Sequence, residues 1–122
     1  MISELRELLS NSYSPYSEKC FSSIVVMKDG TKFKGVTVKN AIFRDGIYAE
    51  QIAIASAITN GYKYGDFDTM YIMVGTNDIS DLKYLNERVI TEFFEPSCSV
   101  ILYTLDGDNR VLKVGNLYSN IF

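Results

Sequence analysis

Residues 49–58 read AEQIAIASAI, and this run predicts a helix that is apolar on nearly every side. Seven of its ten residues are apolar. A surface helix shows one apolar stripe, whereas a helix that is apolar all round is buried on more than one face. Gly61 ends the run, because glycine commonly follows the last turn of a helix. We therefore expect a central helix that is enclosed by other elements.

Strand-like segments surround this helix along the chain. The turn signals Asp29-Gly30 and Asp106-Gly107 each separate two apolar segments, which is typical of β-hairpins. A further apolar segment stands between the central helix and the second hairpin. The five predicted strands are Ile24–Met27, Lys32–Val38, Met70–Val74, Cys98–Thr104 and Arg110–Val114.

Two more helices are predicted from apolar residues at helical spacing. The first begins the chain, with Leu5 and Leu9 on its stripe, and the second runs from Leu82 to Phe93, just before Pro96. The predicted order is helix, two strands, helix, strand, helix, two strands. Such alternation favours a single α/β domain over residues 1–122, a three-layer α/β/α sandwich with a mixed five-stranded sheet.

Composition narrows the class of protein. Hydrophobic residues make up 47% and charged residues 22%, as in ordinary globular domains, and the net charge of −3 argues against binding to nucleic acid or to an anionic membrane. The start, Met1-Ile2-Ser3-Glu4, has no basic and apolar leader, so we expect a cytoplasmic protein with Cys20 and Cys98 reduced. Nine tyrosines and seven phenylalanines hint at a subunit interface.

Five short segments carry a further signal: Ser14-Pro15-Tyr16-Ser17, Gly35 to Ala41, Gly46 to Glu50, Val89 to Phe93 and Leu117 to Phe122. In matching order and spacing, and along essentially the whole chain, they resemble the elements PYS, G-x-N-x-E-N-A, G-x-C-A-E, V-x-x-E-F (after P-C-x-x-C) and L-L-P-x-x-F of the small homotetrameric cytidine deaminases. The resemblance implies a homotetramer in which zinc activates a water molecule to attack C4 of cytosine while a glutamate shuttles protons.

The zinc ligands of that family are missing from this sequence. Zinc is held by about three protein ligands and lowers the pKa of bound water from about 15.7 towards about 7. The resemblance assigns the ligand positions to Tyr48, Lys83 and Asn86, none of which carries a thiolate or an imidazole. The chain contains no histidine, and neither Cys20 nor Cys98 falls on a ligand position. We therefore expect no metal and no cofactor.

Other positions of the family's nucleoside site have also changed. The residues that hold the ribose correspond to Thr37 and Lys39, and the aromatic residue that packs on the base corresponds to Lys19. Glu50 keeps the position of the proton shuttle, with Ala49 before it. The candidate ligand-binding residues are Lys19, Thr37, Lys39, Tyr48, Ala49, Lys83 and Asn86, with Glu50 as the candidate catalytic residue.

Each of these residues also has a simpler interpretation. An acid in the first turn of a helix is favourable against the helix dipole, so Glu50 has either a catalytic or a structural role. Tyr48 and Asn86 either contact a ligand or only fill the pocket. The lysines either make the cavity cationic, with Lys83 or Lys39 balancing the charge of Glu50, or point into solvent as most lysines do.

Two hypotheses for function follow. The first is a catalytically lapsed family member, not an enzyme, that binds a nucleoside-like or nucleotide-like ligand or serves as a scaffold as a homotetramer. The second is a cytidine deaminase, or another nucleoside-directed hydrolase, with a metal-free site built on Glu50, Tyr48 and Lys83.

Overall fold

The computed structural model describes residues 1–13, 20–38, 48–78, 80–81 and 87–117. Within these ranges the helices and strands follow the predicted order. The helices are α1 (Ile2–Leu9), α2 (Ala49–Thr59) and α3 (Glu87–Phe93), and the strands are β1 (Phe21–Met27), β2 (Lys32–Val36), β3 (Phe67–Val74), β4 (Ser99–Tyr103) and β5 (Asn109–Lys113).

The strands described form one mixed five-stranded sheet with the order β2-β1-β3-β4-β5. Strands β3 and β4 run parallel, and every other neighbouring pair is antiparallel. The parallel pair is joined by a crossover that includes α3, since parallel strands cannot be linked by a tight turn. The predicted α/β class with a mixed five-stranded sheet is confirmed.

Helices cover both faces of the sheet. On one face, Leu5 and Leu9 of α1 pack with Ile24 and Met73. On the other face, α2 and α3 bury apolar side chains against the alternate residues of the same strands, such as Val25 beside Ile24. Because successive side chains of a strand point to opposite faces, this division produces the three layers that the sequence predicts.

Several strand boundaries differ from the sequence-based prediction. Strand β3 begins at Phe67, not at Met70, because Phe67 pairs with Met27 and is fully buried although aspartates flank it. Strand β2 ends at Val36, and Val38 forms only an isolated bridge to Tyr13. At the end of the sheet, β5 covers Asn109–Lys113 and Val114 begins a 3-10 turn.

Residues 82–86 of the predicted third helix lie outside the described residues.

Both predicted hairpin turns are present. Gly30 and Gly107 adopt φ angles of +89° and +97°, a region that side-chain-bearing residues rarely enter. The Asp29 carboxylate accepts a hydrogen bond from the Thr31 amide at 2.9 Å and thereby closes the first turn. The Asp-Gly pairs thus fix where β1 turns into β2 and β4 into β5.

The helices differ in how completely the domain buries them. Helix α2 is 11 residues long and buries Ala49, Glu50, Ala53, Ile54 and Ala57. Its opposite side is open to solvent and of mixed character, with Ile58 38% exposed beside exposed Gln51 and Thr59. The sequence-based expectation that α2 is enclosed on more than one face is therefore not met within one subunit. No helix of the described residues is long and apolar enough to cross a membrane.

Candidate active site

The first turn of α2 lies against β2, where the helix and the strand come unusually close. A Cβ atom at Gly35 would collide with the Ala49 carbonyl oxygen and would lie 2.7 Å from the Ala53 amide nitrogen. Only glycine leaves room for this approach. Gly35 pairs with Ser23 of β1, which in turn pairs with Ile72 near the end of β3. The start of α2 is thereby placed near the carboxyl end of β3.

This edge of the sheet is where ligands bind in many α/β proteins. Parallel strands present their carboxyl ends at one edge, and clefts form outside it. In this protein, the residues just beyond β3 and β4 are held together by the Leu105 amide, which donates to the Thr76 carbonyl oxygen at 2.9 Å. The site therefore combines a helix N-terminus with the carboxyl ends of two parallel strands.

Glu50 is the buried acid of this region. It stands in the first turn of α2, and only 1% of its surface is exposed. Tyr48 is the N-cap residue, with extended backbone angles and no capping hydrogen bond from its side chain, and its carbonyl oxygen accepts the Ile52 amide at 3.1 Å. The positive end of the helix dipole favours an acid here by about 0.3–1 kcal/mol. The position of Glu50 in the first turn of α2 thus favours its carboxylate electrostatically.

Thr37 lies one residue beyond β2 and ties that strand to β1. Its hydroxyl accepts the Phe21 amide at 2.8 Å and lies 3.3 Å from the Phe21 carbonyl oxygen, to which it donates. Its carbonyl oxygen accepts the Tyr13 amide at 2.9 Å. The Thr37 hydroxyl therefore forms hydrogen bonds with the backbone of β1. A contact between this hydroxyl and a ligand stays a prediction.

The structure places half of the candidate site residues. Glu50, Tyr48 and Ala49 are adjacent at the start of α2, with Tyr48 half-buried and Ala49 fully buried in the core. Thr37 joins them at the end of β2, beyond Gly35. The remaining candidates lie outside the described residues: Lys19, Lys39, Lys83 and Asn86. Their roles stay predictions.

A polar loop at the same edge was not recognised from the sequence. The Thr76 hydroxyl donates to the Asp81 carboxylate at 2.7 Å, and Asp81 is buried. The Asp78 carboxylate accepts the Ser80 amide at 3.0 Å and the Ser80 hydroxyl at 2.7 Å. The signal for this loop was the cluster of Thr, Asp and Ser residues directly after a buried strand.

Thr104 is a second polar residue that sequence reasoning missed. It follows β4 and is only 1% exposed, yet its hydroxyl has no hydrogen-bond partner in the part of the chain that the structure describes. Buried hydroxyls are almost always paired, so an unpaired one calls for an explanation. Val100 and Leu102 belong to the core under α2 and α3, and the alternation of side chains places Thr104 on that face too.

The donors needed for a zinc ion do not come together in the described residues. No group of three His, Cys, Asp or Glu side chains there could hold a metal ion. Cys20 stands beside Gly75 at one end of β3, and the Cys98 thiol donates to the Phe67 carbonyl oxygen at the other end, at 3.4 Å. At about 3.3 Å per residue these ends lie roughly 23 Å apart. The described residues therefore do not supply the ligand set of a zinc site.

Three comparisons with known proteins match this chain. A family model described as the cytidine and deoxycytidylate deaminase zinc-binding region matches residues 4–83. Cytidine deaminases of Mycoplasma genitalium and Halalkalibacterium halodurans are 23% and 25% identical over 122 residues, which cover all of this chain and 92% and 91% of theirs. The crystal structure of cytidine deaminase from Burkholderia pseudomallei superimposes with a TM-score of 0.81 at 28% identity, covering 95% of this chain and 91% of that one.

These matches contradict the hypothesis of a catalytically lapsed binding or scaffolding protein. The matched relatives are named cytidine deaminase, and the likeness extends from end to end of the chain. The hypothesis was wrong because it inferred a loss of activity from the residue types at the resemblance's ligand and nucleoside positions. The end-to-end likeness covers the whole fold, in which the acid Glu50 is buried. The comparisons favour the alternative, a deaminase or a related hydrolase.

Proposed function

Because the chain belongs to the cytidine and deoxycytidylate deaminase family, we propose that it hydrolyses the exocyclic amino group of cytidine or of a closely related nucleoside or nucleotide. The observation that carries this proposal is the position of Glu50. It is a buried carboxyl group in the first turn of α2, the turn that contacts Gly35 of β2 through the Ala49 carbonyl oxygen. In the family that the sequence resembles, this position belongs to the residue that moves protons.

The reaction requires water as co-substrate and no electron transfer. The oxygen of a water molecule forms a bond to C4 of the pyrimidine while the C4–N3 double bond becomes single, and one proton of that water passes through the Glu50 carboxylate to N3. Glu50 then takes the remaining proton from the new C4 hydroxyl and delivers it to the departing amino group. The C4–N4 bond breaks, ammonia leaves and C4 becomes a carbonyl, so that cytidine and water give uridine, with a proton on N3, and ammonia.

Burial suits Glu50 to this task. A carboxyl group that is shielded from bulk water exchanges its proton with a bound substrate without competition from solvent. A well-positioned acid or base of this kind contributes about 10²–10⁴-fold to the rate. The close approach of β2 to α2 supplies the rigidity that such positioning needs, because the backbone of Gly35 packs directly against the first turn of the helix.

Turnover tests this proposal directly. Purified protein is incubated with cytidine, deoxycytidine or their monophosphates, and uridine products are quantified by chromatography together with released ammonia. We expect product with at least one substrate, and a drop of about 10²–10⁴-fold in Glu50→Gln. Glu7→Gln, a change at an exposed acid at the end of α1, is the matched control and should keep full activity. Absence of product from every substrate would exclude the proposed activity.

We further propose that the subunits assemble into a homotetramer. The support comes from α2, whose outer side exposes the apolar Ala55 and Ile58 beside the polar Gln51 and Thr59. A helix that is apolar all round is normally covered on both sides, and a second copy of α2 would cover it with the same chemistry. Obligate interfaces of this kind bury roughly 2,000–5,000 Å² and are rich in apolar side chains.

A further inference from the structure

We propose that the deaminase site of this protein works without a bound zinc ion. This inference rests on the proposed function, since it concerns how the same site activates water. The evidence is the donor chemistry of the side chains present. Zinc in proteins is bound by thiolates, imidazoles and carboxylates, and a catalytic zinc takes three such ligands plus water.

The first ligand position of the family offers no donor of this kind. It is occupied by Tyr48, the N-cap residue of α2, two residues before Glu50. The other two positions carry Lys83 and Asn86 in the sequence. A lysine ammonium has three hydrogen-bond donors and no lone pair, and a neutral amide oxygen suits hard cations better than zinc.

No thiolate from elsewhere in the chain can replace them. The chain holds two cysteines and no histidine, and the cysteines lie at opposite ends of β3. Two sulfur atoms on one zinc ion stand within about 4.6 Å of each other, far less than the length of that strand. Burial also raises the pKa of the Cys98 thiol, which disfavours the thiolate that a metal needs.

The buried acids of the described residues are not arranged as a metal site either. Glu50 belongs to the start of α2, and the Asp81 carboxylate accepts a hydrogen bond from the Thr76 hydroxyl. They do not form a group of three metal-binding side chains within the described ranges. Glu50 and Asp81 therefore do not complete a three-ligand metal site with other described residues.

This arrangement predicts slower turnover than a zinc-activated water molecule would give. Zinc brings the pKa of bound water from about 15.7 towards about 7, and no side chain at the ligand positions supplies that effect. Catalysis then depends on acid–base transfer through Glu50 and on the positioning of water and substrate, so turnover should persist when metal is removed. The chemistry expected is the same hydrolysis with water as nucleophile.

Metal analysis of the purified protein tests the inference without relying on activity. The chain is expressed in zinc-supplemented medium, dialysed and analysed by mass spectrometry for metals, and any turnover is measured with and without phenanthroline. We expect well under one zinc per subunit and no change in rate with the chelator. The triple variant Tyr48→Cys, Lys83→Cys, Asn86→Cys restores thiolates at the three family positions and should bind about one zinc per subunit.

The outcomes separate this inference from the proposed function. Stoichiometric zinc in the unchanged protein that survives dialysis overturns the inference, whatever the turnover. Low zinc together with chelator-resistant turnover supports both. Low zinc with no turnover on any substrate excludes the proposed activity while the absence of a zinc site stands. Because the decisive measurement uses the unchanged protein, it does not depend on whether the triple variant folds.

Discussion

The backbone of Gly35 in β2 lies directly against the carbonyl oxygen of Ala49 in α2. Ala49 is the residue before Glu50, so this contact sets how deep the candidate catalytic acid sits. It also joins two segments that the resemblance assigns to one site, the end of β2 and the start of α2. The fold and the site thus depend on the same close approach.

Replacing Gly35 with alanine should therefore damage both stability and activity. The added methyl group collides with Ala49 and crowds the Ala53 amide, so the first turn of α2 must move. Overpacking of this kind costs about 1–3 kcal/mol. Urea unfolding measures the loss, and turnover of the same variant should fall with it. Lys34→Ala, an exposed neighbour in β2, should stay within about 0.5 kcal/mol. Equal stability of the two variants would contradict the assigned contact.

Two buried threonines should respond to valine in opposite directions. The Thr37 hydroxyl accepts the Phe21 amide, so Thr37→Val should destabilise by about 1–3 kcal/mol, because it removes the hydroxyl that this buried backbone amide donates to. The Thr104 hydroxyl has no partner among the described residues, so Thr104→Val should be neutral or stabilise by about 1 kcal/mol. Urea unfolding of both variants makes the comparison. Equal destabilisation would show that Thr104 holds a bound water or ligand.

The hydrogen bond between Tyr62 and Asp29 predicts a pH-dependent contribution to stability. The Tyr62 hydroxyl donates to the Asp29 carboxylate at 2.6 Å and holds the pKa of Asp29 below its ordinary 3.8. A lowered folded pKa stabilises the protein above the unfolded pKa, and the effect is lost as the pH falls through the folded value.

Tyr62→Phe tests this contribution while keeping the ring contact with Phe33, whose centroid lies 5.4 Å away. We expect a lower melting temperature than that of the unchanged protein at pH 7. The difference should shrink once Asp29 is protonated in both proteins. Thermal unfolding of both proteins, followed by circular dichroism from pH 7 down to a pH at which Asp29 is protonated, measures the difference in melting temperature. A difference that does not depend on pH would argue against the hydrogen bond as its source.

A charge on the outer side of α2 should weaken self-association. Ile58 is 38% exposed within one subunit, and burying a lysine at a subunit contact strands its charge. Ile58→Lys should therefore shift the assembly towards smaller species in light scattering at micromolar concentration. Val111→Lys, on the edge strand β5 where Val111 is 59% exposed, serves as the control and should leave the assembly unchanged. A monomer for the unchanged protein would exclude the homotetramer itself.

The sequence was sufficient for the order of elements and for the side-chain types at the positions that the resemblance assigns to ligands. Helical and strand periodicities are local, so the three helices and five strands followed from residue spacing and Asp-Gly turns. The absence of histidine, and the identities at residues 48, 83 and 86, needed no coordinates, because a side chain either has a donor for zinc or lacks one. The whole-chain resemblance likewise predicted the family, but the emphasis on lost ligands led to the wrong conclusion about function.

The tertiary structure alone decided how identical residue types are used. Thr37 and Thr104 are both buried, yet within the described ranges the Thr37 hydroxyl makes two hydrogen bonds and the Thr104 hydroxyl makes none, because hydrogen bonding depends on neighbours that are distant in sequence. The reason why position 35 is glycine appears only when β2 meets α2, since no local turn requires it there. The sequence by itself determined which chemistry each position can offer, whereas packing determined which groups meet.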